Sequence, residues 1–189
     1  MHSADMGTGS VSARQSRLPA GDARGRINPT SARHLPLADL RRLRGSEQVA
    51  AVCYRVRKSG IEFLLVQTRG GRWTFPKGGA EPGLTHAQAA ALEAFEEAGV
   101  HGRMEELSFT RYVRRKRGEV RDSVFELVVN AHLCEVLWLD PPQEADRNPT
   151  WFSVEKAKRR LREDRGVDCA DEFTRVVDHA VGRIQRLHG

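Results

Sequence analysis

No stretch of the chain approaches the ~20 consecutive apolar residues that a helix needs to cross a bilayer, and the beginning has no apolar run of signal-peptide length. The chain reads as soluble, with no membrane partner. Cysteine is scarce: Cys53, Cys134 and Cys169 are odd in number, and none sits at metal-ligand spacing from another. That suggests neither a disulfide framework nor a zinc site and fits a reducing, cytoplasmic setting. A dominant charge is also missing from most of the chain. The formal net charge is +6, but residues 1–45 hold eight arginines against three aspartates, which leaves 23 basic against 22 acidic residues in 46–189. A nucleic-acid partner is therefore not favoured by charge.

Residues 1–45 are rich in Ser, Gly, Arg and Ala, carry Pro19, Pro29 and Pro36, and lack apolar periodicity, so they are expected to be a disordered basic extension. Their Arg and Ser bias is that of an organellar transit segment, which Asp5 and Asp22 oppose. Residues 46–189 are long enough for one domain with a proper core. In them VAAVCYRV from Val49, IEFLLVQT from Ile61 and a short Trp73–Phe75 run read as strands, separated by the Ser59-Gly60 and Gly70-Gly71 turns. Pro76-Lys77-Gly78-Gly79 reads as a loop whose glycines allow close approach to the backbone. Further strands are expected at Leu107–Val113 and Ser123–Leu139, on either side of a basic turn. Helices are expected from Val154 to about Leu161, capped by Ser153, and along the Phe173–Leu187 stripe. His101 and His132 read as sheet residues.

Thr85 and Gln88 match a capping box and Gly99 suits a helix C-terminus, so a helix is expected over 86–98. Ala87, Ala91, Ala94, Phe95 and Ala98 form its apolar stripe. Glu93, Glu96 and Glu97 then fall together at spacings of three and four, where like charges repel by a few tenths of a kcal/mol per pair. A hard divalent cation taking carboxylate oxygens would turn that repulsion into coordination. The bland alternative is a solvated helix surface, and the glycine loop just ahead favours the metal.

Strand, glycine loop and a glutamate-rich helix closed by Gly99-Val100 resemble the Nudix hydrolases. Their signature runs from a glycine through a glutamate to Arg-Glu, an apolar residue, any residue, Glu-Glu, any residue, Gly and an apolar residue. Laid from Gly78, it is matched at Glu93, Ala94, Glu96, Glu97, Gly99 and Val100. Leu84 stands for the first glutamate and Leu92 for the arginine. The resemblance implies an α/β (α+β) fold, a mixed β-sheet sandwiched between helices. It implies that Glu93, Glu96 and Glu97, with Gly78, hold Mg²⁺ or Mn²⁺ and carry the hydrolysis of a small-molecule diphosphate. Lys77, Arg72, Arg114, Arg115 and Arg117 are the candidates for contact with substrate phosphates. WTFPKGG and Trp151-Phe152-Ser153 are similar to the branch acting on diphosphoinositol and diadenosine polyphosphates. Lys116 stands where ADP-ribose-cleaving members carry a proline. Leu84 and Leu92 raise the rival of a nucleotide-binding or regulatory module with weakened turnover, and the basic segments raise that of an RNA-end-processing member.

Overall fold

Along Glu47–Arg57 (β1) consecutive side chains enter two different cores. Ala50, Val52 and Tyr54 join one cluster of buried residues, whereas Val49, Ala51 and Cys53 join the other. A strand puts successive side chains on opposite faces, so β1 must be covered on both. Gly60–Gln67 (β2) repeats the pattern, Phe63 and Leu65 on one side, Leu64 and Val66 on the other.

The computed structural model describes residues 47–117 and 124–189. Besides β1 and β2 these comprise the strands Trp73–Thr74 (β3), Lys77–Gly79 (β4), Val100–Met104 (β5), Thr110–Arg117 (β6), Val124–Leu139 (β7) and Thr150–Ser153 (β8). The helices are His86–Ala98 (α1), Val154–Arg162 (α2) and Val167–His188 (α3). The main path of the sheet runs β3-β2-β1-β7-β5, with β4 paired to β1, β6 to β7 and β8 to β2. β1 and β7 are parallel and the other pairs are antiparallel, so the sheet is mixed. Helix α1 packs on one face through Ala89, Ala90, Ala94 and Ala98. On the other, α2 and α3 pack through Ala157, Leu161, Phe173, Val176, Val177, Ala180 and Ile184. The expected mixed sheet between helices is the fold found.

The structure departs from the local expectations at four places. Lys77-Gly78-Gly79 is a short strand, because its backbone pairs with Gln48–Ala50 of β1. Val100–Met104 is a strand that the sequence conceals: His101, Gly102 and Arg103 break up its apolar character, and pairing with β7 supplies the order. The last helix begins at Val167, ahead of its apolar stripe, and Ser153 occupies the N-cap position of α2 without a side-chain cap bond. Residues 1–45 and the tip of the basic turn at 118–123 lie outside the described residues, as do the side chains of Arg115 and Arg117. The backbone of Arg115 and Arg117 belongs to β6, opposite Glu126 and Val124 of β7.

Candidate metal centre and anion pocket

Helix α1 starts and stops where its sequence dictates. Gln88 N–H donates to Thr85 Oγ1 at 3.2 Å and Thr85 N–H to Gln88 Oε1 at 2.9 Å, completing the capping box. At the other end Gly99 takes φ 65°, a left-handed backbone that favours glycine, and its N–H returns to Phe95 O at 2.8 Å. With both ends pinned and the alanines buried, the glutamates of the last two turns sit beside β4.

Gly78 lies directly against Glu93, and a Cβ there would overlap the Glu93 carboxyl group. The absent side chain is thus the space this carboxylate fills. Glu97 is 1% exposed. Its Oε2 accepts the Lys77 backbone N–H at 3.2 Å, and its Oε1 lies 2.8 Å from Arg147 Nη2. Arg147 ends a 3₁₀ turn, Ala145–Arg147, and its Nε donates to Glu144 Oε2 at 2.6 Å. The Glu144 N–H donates to Glu96 O at 3.0 Å, which ties this turn to α1. Glu96 is half-buried on the same part of the helix.

The electrostatics follow from crowding. Burial, then the neighbouring Glu97 and Glu96, push the Glu93 carboxyl up to about 7, with Lys77 opposing. Burial also raises Glu97, against the pull of Lys77 and Arg147. Lys77 is brought down to about 8, first by burial and then by Arg114 and Arg147, with Glu97 and Glu93 opposing. One ammonium and two carboxylates with perturbed protonation lie together here, the combination that makes a spot a candidate functional site.

The donor set fits a hard cation in chemistry: carboxylate oxygens held close together against their own repulsion, beside a glycine backbone. As placed, however, no three carboxylate, imidazole or thiol groups converge at ligand geometry among the described residues. Glu93 and Glu97 are brought together, while Glu97 is turned toward Lys77 and Arg147.

A second feature adjoins. A cavity of about 830 Å³ is lined by Arg72, Thr74, Arg114 and Arg165 and by the acidic Glu126, Asp164, Asp168 and Glu172, so its wall carries both signs of charge. Arg72 is exposed and Arg114 half-buried; Arg114 Nη1 donates to Gln48 Oε1 at 3.2 Å. Arg165 Nη2 donates to Trp73 O at 2.5 Å and its guanidinium lies 4.4 Å over the Phe173 ring. Thr74 Oγ1 is buried there without a hydrogen-bond partner. The sequence points to Arg72 and Arg114 and does not point to Arg165, Glu144 or Arg147. For the last two the available signal was an acid and an arginine three apart, in a loop framed by Pro142 and Pro149. His132 and His101 are sheet residues as expected: His132 Nδ1 contacts Glu105 O at 3.1 Å, and His101 Nε2 pairs with Asp140 at 2.7 Å.

A mixed sheet between helices, with a glycine strand beside a glutamate helix, is the arrangement that comparison with known proteins assigns to a family. The NUDIX domain family model matches residues 46–175, and the chain belongs to the Nudix hydrolase family. The bovine (Bos taurus) diphosphoinositol polyphosphate phosphohydrolase 3-beta is 34% identical over 119 residues, spanning 61% of this chain and 69% of that protein. Nudix hydrolase 21, chloroplastic, of Arabidopsis thaliana is 34% identical over 116 residues, 58% of this chain and 56% of that protein. Among solved structures, a C. elegans Ap4A hydrolase binary complex superposes with a TM-score of 0.52 at 21% identity, covering 75% of this chain and 98% of that one. That likeness concerns the fold.

Proposed function

We propose that the chain is a cation-dependent hydrolase of a diphosphate bond in a phosphate-rich small molecule, of the inositol pyrophosphate or polyphosphorylated nucleotide type. The observation that carries this reading is the compact set of Glu93, Glu97 and Lys77 against Gly78, with shifted protonation on all three side chains. The bovine relative's name, a diphosphoinositol polyphosphate phosphohydrolase, supports the same substrate class. Three free cysteines accord with a reducing compartment such as the cytoplasm. Among the described residues, no helix is long and apolar enough to cross a membrane.

Glu93, Glu96 and Glu97, with Gly78, would hold Mg²⁺ or Mn²⁺. Such a cation neutralises charge on diphosphate oxygens and lowers the pKa of a water. The protein does the positioning. Lys77 brings positive charge next to the carboxylates, and its backbone N–H orients Glu97. Arg72, Arg114 and Arg165 face the cavity where the outlying phosphates of a polyanion would lie, and a planar guanidinium suits bidentate phosphate contact. With little covalent work for the protein in phosphoryl transfer, this placement and charge compensation are its contribution.

The test is phosphate release by the full chain with Mg²⁺ or Mn²⁺ from inositol pyrophosphates, dinucleoside polyphosphates and nucleoside diphosphate derivatives. Turnover of at least one polyphosphorylated compound is expected, with Glu97→Gln lowering it by about 10²-fold or more. A second reading, a ligand-binding module without useful turnover, is prompted by Leu84 and Leu92 standing for the first glutamate and the arginine of the signature. Tight binding of the same compounds without cation-dependent phosphate release would establish it in place of the first.

A further inference from the structure

We propose that Arg147 is a positioning residue for Glu97, bringing a guanidinium to its carboxylate from outside α1. The inference rests on the reading of Glu97 as a cation ligand. It starts from a need: a carboxylate that is 1% exposed has lost its water and requires partners inside the protein. Glu97 has one on each oxygen, the Lys77 N–H on Oε2 and Arg147 on Oε1. Each oxygen accepts more than one bond, so both still have a lone pair to offer a cation.

Arg147 is itself held. Its side chain is 16% exposed and its Nε is engaged by Glu144 at 2.6 Å while Nη2 reaches Glu97 at 2.8 Å. Two carboxylates on two different nitrogens of a planar fork fix its rotation, which a lysine could not reproduce. The segment carrying it is anchored to the helix it serves. Glu144 N–H bonds Glu96 O at 3.0 Å, and Arg147 N–H bonds Glu144 O at 3.2 Å. Asn148, at φ 46°, then turns the chain away into β8. Position 92 offers no substitute. Leu92 is 37% exposed and belongs to neither buried cluster.

The experiment compares the full-length wild type with Arg147→Ala, Arg147→Lys and Arg147→Met. It measures Mn²⁺ binding by calorimetry and by the electron paramagnetic resonance of free Mn²⁺, thermal unfolding, and kcat and KM on whichever polyphosphate the wild type hydrolyses. Partners that orient metal ligands typically matter 10–100-fold in affinity or activity. Arg147→Ala and Arg147→Met are expected to weaken Mn²⁺ binding by about that factor and to lower kcat with KM little changed. Arg147→Lys should recover part of the loss, since it keeps the charge without the fork. A role in stability alone would lower the melting temperature and leave the Mn²⁺ affinity of the folded fraction intact. Wild-type Mn²⁺ affinity in Arg147→Ala overturns the proposal. Should that variant not fold, wild-type affinity in Arg147→Met does so instead, since methionine keeps much of the apolar stem. A wild type that binds no Mn²⁺ overturns the metal reading of the site and this proposal with it, whereas unchanged affinity in the variants removes only the role of Arg147.

Discussion

At the scale of single residues the site is an arrangement of groups kept from their preferred charge. Folded Glu93 holds its proton up to about pH 7, while an unfolded chain releases it near 4.5. Between those values the folded state binds more protons, so stability falls as pH rises. Lys77 acts in the opposite sense. Its folded ammonium titrates near 8 and the unfolded one near 10.5, so the unfolded state binds more protons there and stability rises with pH. Glu97, also raised by burial, adds to the fall that Glu93 produces, and the raised Cys53 and Tyr54 oppose Lys77 in alkali. Cation-free protein should therefore show a melting temperature that drops from mildly acid to neutral pH, and Glu93→Gln should make that limb shallower. An unchanged limb in that variant would show that Glu93 is not its source. Gly78→Ala tests the neighbouring contact. A methyl group would displace the Glu93 carboxyl, and Mn²⁺ affinity is expected to fall by about 10-fold or more, on the order of other ligand-orienting changes. Wild-type affinity would mean that Glu93 moves without consequence.

At the scale of elements, α1 was legible because its information is local. The capping box, the alanine stripe and Gly99 lie within one window, and the helix occupies the expected residues 86–98. Its C-terminus carries a second constraint that the window does not contain: a Cβ on Gly99 would run into the Asp140 carbonyl, and Asp140 N–H bonds Gly99 O at 2.8 Å. Gly99→Ala thus combines a left-handed backbone, costing about 1–2 kcal/mol for an L residue, with a backbone clash. Denaturant unfolding should show a loss at or above the top of that range; a loss under about 0.5 kcal/mol, the usual surface value, would contradict the close approach. Leu84 and Leu92 behave differently. They are 40% and 37% exposed, so the double substitution Leu84→Glu with Leu92→Arg is expected to change stability by no more than about 0.5 kcal/mol. Strands β4 and β5 were not legible, since three and five residues with glycines inside carry no period of their own and are ordered by β1 and β7.

For the whole molecule, the +6 charge separates into a basic beginning and a nearly balanced remainder. If the reading of 46–189 as the working domain holds, a chain starting at Ser46 should keep its cation-dependent hydrolysis. Any RNA affinity of the full chain should fall steeply with salt and fall again on removing residues 1–45. RNA binding that survives the removal would place the contact on the domain, with Arg111, Arg114 and the rest of β6 the first residues to examine.

The amino-acid order by itself determined the apolar strand runs of β1 and β2, the limits of α1, and the phase that groups Glu93, Glu96 and Glu97 in its last two turns. All of these depend on neighbours within a turn, a strand or a short loop, where backbone geometry converts spacing directly into position. Only the tertiary structure decided what each glutamate touches. Arg147 and Glu144 come to α1 from a loop beyond β7, and Arg165 meets Arg72 and Arg114 from the junction between α2 and α3. An ion pair between distant segments has no periodicity in the chain. It exists because burying Glu97 in the last turn of α1 leaves a carboxylate that needs a cation, and the fold brings Arg147 within 2.8 Å of it.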